Sequence, residues 1–147
     1  MKRLSGNESG FTMVEMLIAI LLMTVGLLAV LTMQDVALNA NSISMRLTVA
    51  TSLAQETLED ILSWDPDKHA ELKTSTANAV YDLDPNTSAT SITITGAGSY
   101  NAAYTTTVGT ATDTNPGNGI PDGITRVVVT VTGGGRSITV TGFKRTV

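Results

Sequence analysis

Apolar and polar positions follow different patterns along the chain, and each pattern predicts a different element. No charged residue lies between Glu15 and Asp35, so this block predicts an apolar helix long enough to cross a bilayer, which takes about 20 residues. From Ala40 onward apolar residues recur at steps of three and four, which predicts an amphipathic helix. Its expected buried stripe is Ile43, Leu47, Ala50, Ala54, Leu58 and Ile61, widened by Leu53 and Leu62. Because Pro66 is the first helix breaker after this run, we expect one helix over residues 11–64.

After Lys73 the spacing becomes alternating and threonine, serine and glycine become frequent, which predicts β-strands. The expected strands are Ala79–Leu83, Ser91–Thr95, Ala102–Val108, Ile124–Thr132 and Arg136–Lys144. Glycines 133–135 predict the turn of the last hairpin, in which we expect the pairs Val129–Ile138, Val127–Val140 and Val128–Thr139. A sheet with so few large apolar residues needs a second layer. The patterns therefore predict an α+β fold, in which the second half of the helix packs on a small antiparallel sheet.

Composition and charge exclude several functions. The chain has 147 residues, with 13 acidic and 9 basic side chains, no cysteine and one histidine. A net charge of −4 disfavours nucleic acid as a partner. Thiol nucleophiles, histidine triads and multi-histidine zinc sites are also excluded. Since no phosphate-binding glycine loop or G-x-S-x-G turn is present either, we expect no enzymatic activity, no small-molecule substrate and no required cofactor.

The flanks of the apolar block predict how it is oriented in a membrane. Lys2 and Arg3 precede the block and Asp35 follows it, so the positive-inside rule predicts a cytoplasmic N-terminus and a C-terminal domain on the other side. The block is longer than the core of a secretory signal peptide and lacks its small-residue cleavage site. We therefore expect a single-pass inner-membrane protein with a periplasmic C-terminal domain.

The junction ahead of this block reads Ser9-Gly10-Phe11-Thr12-Met13-Val14-Glu15, which resembles the prepilin motif of type IV pilins and type II secretion pseudopilins. The resemblance implies that prepilin peptidase cleaves between Gly10 and Phe11 and that the new Phe11 amine is methylated. It also implies that other major and minor pilins are partners through the N-terminal helix. A carboxylate in an apolar helix is costly unless it is paired. We therefore expect Glu15 to pair with the Phe11 amine of a neighbouring subunit during assembly.

Within this family the first 62 residues are similar to the PilV-type minor pilins, on the basis of Val25-Gly26-Leu27-Leu28 and Leu53-Ala54. The resemblance implies an inner-membrane precursor that enters an extracellular pilus, with roles at the tip, in adhesion and in twitching motility. The implied division is a leader at 1–10, a helix at 11–64 with its membrane part at 11–34, and a β domain at 65–147. Thr32 stands where major pilins commonly carry a helix-breaking proline, which leaves Gly26 to loosen the helix.

Two other functions remain open from the sequence. The first is a type II secretion minor pseudopilin, whose assembly chemistry is the same. The second belongs to another class of protein, an ordinary single-span anchor that presents a periplasmic binding or adhesion domain. An ordinary anchor would keep its first ten residues, so N-terminal processing separates it from the pilin interpretation.

A polar loop near the C-terminus is a candidate calcium site. Its oxygen-bearing side chains are Asp113, Asn115, Asn118 and Asp122, interspersed with glycines. Hard cations such as Ca²⁺ prefer such ligands, but Asx, Gly and Pro residues also form ordinary tight turns. The sequence leaves both interpretations open.

Several charged residues have no assigned role in the sequence. We expect His69 to be a solvated loop residue, and Glu56, Glu59 and Asp60 to form a solvated stripe on the helix. The basic residues near the C-terminus are Arg126, Arg136, Lys144 and Arg145. They could bind an acidic partner or balance the acidic helix, and the sequence does not separate these options.

Overall fold

The computed structural model describes residues 11–109 and 119–146. It begins with one helix, α1 (Met13–Ser63, 51 residues), as the spacing predicts. The helix ends just ahead of Asp65-Pro66, since the residue before a proline disfavours helical geometry. The chain divides into two compact units, Met1–Asn41 and Ser42–Val147, and α1 contributes to both.

The second unit contains a five-stranded antiparallel sheet, in which the described strands are β1 (Thr76–Tyr81), β2 (Ile92–Ile94), β3 (Gly98–Val108), β4 (Ile124–Gly133) and β5 (Arg136–Arg145). Their order is β1-β3-β4-β5, and β2 also pairs with β3. A short 3₁₀ helix, Ala70–Leu72, connects α1 to the sheet. The α+β fold is therefore confirmed. All five strands lie near their expected positions, although β1 begins three residues earlier and β3 four residues earlier than predicted.

One face of the sheet packs against residues 50–62 of α1. The helix buries Ala50, Ala54, Thr57 and Ile61, and the sheet buries Tyr100, Ala102, Tyr104, Val127, Val129 and Val131. The helix spacing of four, three and four keeps these residues on one side. The expected stripe is partly wrong: Ile43 is 40% exposed, whereas Thr57, which the hydrophobic pattern passed over, is buried.

Small residues allow the helix to approach the sheet closely. Ala50 and Ala54 place little bulk between the two layers. On β5, a Cβ added at Gly142 would lie 3.1 Å from Leu58 Cδ1 and 3.1 Å from Leu62 Cδ1. The leucine side chains thus occupy the space that a larger residue at position 142 would fill. Close packing of this kind lets a domain with few aromatic residues form a dense core.

The predicted register of the last hairpin is wrong by two residues. Val129 pairs with Val140, Val131 with Ile138, and Thr130 with Thr139. The turn consists of Gly134 and Gly135, which have φ angles of +57° and +76°, as a two-residue hairpin turn with positive φ at both positions requires. A shift of two residues keeps the same side chains on the core face, so the hydrophobic pattern alone does not distinguish the two registers.

Candidate assembly site

The N-terminus of α1 brings Thr12 and Glu15 together. The Glu15 backbone N–H donates to Thr12 Oγ1 at 3.3 Å, and the Met16 N–H donates to the Thr12 carbonyl oxygen at 3.2 Å. Thr12 is therefore the N-cap and Glu15 stands at the third helical position, the residue types and spacing of a capping box. The Thr12 cap was not predicted above, although the spacing Thr-x-x-Glu in the sequence is its signature.

Phe11 and Glu15 are both exposed, and the Phe11 side chain is 78% accessible. Two of the predicted assembly residues thus lie on the surface at the start of the helix. Gly10, the predicted residue before the cleavage site, lies outside the described residues. A carboxylate in the first turn is favoured by the positive end of the helix dipole. Glu15 is therefore placed favourably within its own helix and remains accessible to a group from outside it.

The helix that follows Glu15 exposes an apolar surface. Every large apolar side chain from Met13 to Leu38 is exposed. By length and composition the helix is able to cross a membrane, since its most apolar stretch has a mean hydropathy of 2.6. An apolar surface of this size requires lipid or other apolar helices around it.

The two threonines of the apolar block satisfy their hydroxyl groups within the helix. Thr24 Oγ1 donates to the Leu21 carbonyl oxygen, and Thr32 Oγ1 donates to the Ala29 carbonyl oxygen, both at 2.8 Å. A hydroxyl that is already hydrogen-bonded costs less in an apolar environment. Both threonines therefore lie within an unbroken helix.

The candidate calcium loop lies mostly outside the described residues. Asp113, Asn115 and Asn118 are among those outside, and Asp122 is exposed within the turn that leads into β4. Within residues 11–109 and 119–146 there is no group of three or more His, Cys, Asp or Glu side chains placed to hold a metal ion. The calcium site stays a prediction.

Aromatic side chains gather at the C-terminal end of α1 around Asp60, a cluster that the sequence analysis missed. Asp60 Oδ2 accepts hydrogen bonds from Trp64 Nε1 at 3.0 Å and from the Tyr81 hydroxyl at 2.7 Å. Trp64 also stacks on His69 at 4.3 Å between ring centroids and meets Tyr104 edge-on at 5.6 Å. Glu56, Glu59 and Asp60 are all exposed, as the sequence predicts, but Asp60 also carries these two hydrogen bonds. His69 is half-buried against an indole ring rather than a free loop residue.

A comparison with protein families shows that residues 5–31 match the prokaryotic N-terminal methylation motif. The matched segment includes Phe11, Thr12 and Glu15 and most of the exposed apolar block. Comparisons with curated proteins and with solved structures found no match. The motif supports a protein of the type IV pilin-like family. More particularly, it supports a pilin-type subunit of a type IV pilus or pseudopilus, a structural protein that is processed by prepilin peptidase and assembles with other pilins.

Proposed function

We propose that this chain is a minor pilin of the PilV type, a structural subunit that enters a type IV pilus after cleavage and N-methylation. The observation that carries the proposal is the methylation motif at residues 5–31. It includes the start of a helix whose large apolar side chains are all exposed from Met13 to Leu38. Before assembly this segment spans the inner membrane with its N-terminus in the cytoplasm. During assembly it moves into a bundle of equivalent helices.

Glu15 and the Phe11 amine supply the electrostatic part of the assembly mechanism. A charged side chain in an apolar environment is costly unless it is paired. Cleavage after Gly10 creates an ammonium group at Phe11, a second charge in the same apolar environment. Pairing Glu15 of one subunit with the Phe11 amine of its neighbour removes both costs and fixes the axial step between subunits. The Thr12 cap supports this mechanism because it holds Glu15 in the first helical turn.

Intact-mass analysis of the membrane-extracted protein tests the maturation step. We expect a chain that begins at Phe11 and carries one added methyl group. An ordinary single-span anchor would retain residues 1–10, so a chain that starts at Met1, or at any residue other than Phe11, would contradict the proposal. A subunit of a type II secretion pseudopilus would be matured in the same way. Deletion of the gene separates these two cases, since the proposal expects a pilus defect with protein secretion intact.

The role of Glu15 is tested by Glu15→Gln. Glutamine keeps the capping-box chemistry at this position but cannot neutralise an ammonium group. We expect Glu15→Gln to be cleaved normally and to be incorporated poorly into filaments. Asp35→Asn is the matched control, because it makes the same chemical change at the other end of the apolar block and should assemble like the unaltered chain. Normal incorporation of Glu15→Gln would refute the charge pairing.

A further inference from the structure

The two edges of the sheet differ in how they are protected. One edge is formed by β1 and β2, which are six and three residues long, and the register of β1 shifts between Thr76 and Ala79. Short strands and irregular pairing are common means by which proteins keep a further strand from adding to a sheet edge. The other edge is β5, which has ten residues, pairs with β4 at ten consecutive positions and contains no proline. It is therefore a long, regular edge to which a strand can be added.

The backbone groups of β5 that face away from β4 follow from the hydrogen-bonding pattern. Hydrogen-bonded and non-hydrogen-bonded pairs alternate along an antiparallel ladder. The Thr146 N–H donates to the Gly123 carbonyl oxygen at 2.9 Å, and this pair continues the register of β4 and β5. Every second residue before Thr146 therefore bonds to β4. The residues between them are all exposed and direct their N–H and C=O groups towards the free edge: Ser137, Thr139, Thr141, Phe143 and Arg145.

The apolar layer between the sheet and α1 is also open at this edge. Val129 on β4 is fully buried, whereas its partner on β5, Val140, is only half-buried. Ile138 on the same strand is half-buried too, as are Leu58 and Leu62 of α1, which pack against β5 at Gly142. Alternate residues of a strand lie on the same face of a sheet. An added strand with apolar residues at alternate positions would therefore complete the burial of this layer.

The charges of β5 disfavour a second copy of this chain as the added strand. Arg136 begins β5, and Lys144 and Arg145 end it. Two antiparallel β5 strands would bring Arg136 of each copy beside the basic end of the other, and two parallel strands would align identical residues. Like charges opposite each other destabilise a strand pair. In the part of the chain that the structure describes neither arginine forms an ion pair, so a strand with acidic ends would complement both.

We propose that β5 is a docking edge for an extended strand of a different pilin subunit, in which apolar and polar residues alternate and both ends are acidic. The free N–H and C=O groups of β5 pair with the backbone of this strand, and side-chain alternation and charge select it. This inference rests on the proposed function, which places other pilins beside the chain. Each contact uses a single copy of this chain, as expected of a minor subunit.

A synthetic peptide tests the docking edge in the full-length protein in detergent. The probe matches β5 in length, with alternating valine and threonine and with aspartate at both ends. We expect it to bind and to slow hydrogen exchange at the β5 amides that face the free edge. A peptide with lysine at both ends should bind about tenfold more weakly, because like charges across an interface are unfavourable. Equal binding of the two peptides, or slowed exchange at β1 and β2 instead, would overturn the proposal.

Proline substitutions separate strand addition from folding. The Thr139 N–H faces the free edge, so Thr139→Pro removes a donor from this edge without removing a bond to β4. We expect it to weaken binding of the acidic peptide by about tenfold, which corresponds to roughly one hydrogen bond, and to leave the fluorescence of Trp64 unchanged. Thr139→Ala is the matched control and should bind like the unaltered chain. Equal binding by Thr139→Pro and Thr139→Ala would refute the pairing.

A peptide methylated on alternate backbone nitrogens gives the same test without altering the protein. When the methylated nitrogens are those that face β5, the peptide has lost its donors and we expect no binding. When they are the nitrogens that face away, we expect binding like that of the unmethylated probe. Equal behaviour of the two peptides would refute backbone pairing, whether or not the proline variant folds.

Photocrosslinking in assembled pili tests the identity of the partner. The chain contains no cysteine, so Thr139→Cys can carry a single benzophenone maleimide at the docking edge. We expect a product with a different subunit that also has a methylated N-terminus, joined through a strand with acidic ends. Thr93→Cys, on β2 at the opposite edge, is the matched control and should not give this product. A dimer of this chain, a product with a protein that is not a pilin, or no product in pili that contain the chain would overturn the proposal.

The N-terminal mass of the same protein separates this inference from the proposed function. A methylated Phe11 terminus without peptide binding would refute the docking edge and leave the pilin function intact. Peptide binding at β5 by a chain that keeps residues 1–10 would refute the function and leave the strand-binding edge standing.

Discussion

Asp60 should stabilise the second unit of the chain by joining α1 to β1. Its carboxylate accepts one hydrogen bond from Trp64 Nε1 and one from the Tyr81 hydroxyl, at 3.0 and 2.7 Å. A typical hydrogen bond contributes about 1 kcal/mol to stability, so Asp60→Ala should cost about 2 kcal/mol. The bond to Tyr81 accounts for about half of this loss. For a domain of about 60–100 residues, each kcal/mol corresponds to a fall of about 4–8 °C in the unfolding temperature.

Trp64 is the single tryptophan of the chain, so its fluorescence reports on this cluster in the full-length protein in detergent. Thermal unfolding of Asp60→Ala, Tyr81→Phe and the double variant forms a double-mutant cycle. We expect a coupling of about 1 kcal/mol between the two sites. Glu59→Ala is the matched control, because Glu59 makes no side-chain hydrogen bond or ion pair within the described residues and its loss should leave the unfolding temperature unchanged. Equal effects of Asp60→Ala and Glu59→Ala, or strict additivity in the cycle, would refute the argument.

Three further predictions follow from the sheet and its loops. Gly133→Ala should destabilise the protein by about 1–3 kcal/mol through overpacking, because a Cβ there would lie 2.2 Å from Tyr100 Cδ1 and 2.6 Å from the Ser99 carbonyl oxygen. Thermal unfolding should show a smaller loss for Gly142→Ala, whose Cβ would meet only the ends of leucine side chains at 3.1 Å. Burial and Asp60 raise the pKa of Tyr81, so its contribution to stability should be complete below the ordinary tyrosine pKa of about 10 and decline as the pH rises further. Ultraviolet difference absorbance compared with Tyr81→Phe checks this, and a Tyr81 that ionises at its ordinary pKa would contradict it. If the loop from Asp113 to Asp122 binds calcium, millimolar Ca²⁺ should raise the unfolding temperature of the full chain relative to chelator, and Asp122→Ala should abolish the difference. An unfolding temperature that is indifferent to Ca²⁺ would identify the loop as an ordinary turn.

The sequence by itself determined the elements and the assembly segment. The charge-free run after Glu15 and the later spacing of three and four specified one long helix, since helical periodicity is a local property of the chain. The alternating residues specified the strands, and glycines 133–135 located the last turn. The residues of the methylation motif are contiguous, so they could be recognised without any knowledge of the fold.

Only the tertiary structure decided which residues from distant parts of the chain meet. The hairpin register depended on which two of three glycines take positive φ, and the hydrophobic pattern is the same after a shift of two residues. Asp60 looks like any exposed carboxylate on a helix until the fold brings Tyr81, 21 residues away, to its side. The strand order β1-β3-β4-β5 is likewise a product of the fold, because pairing between distant segments, not local propensity, sets that order.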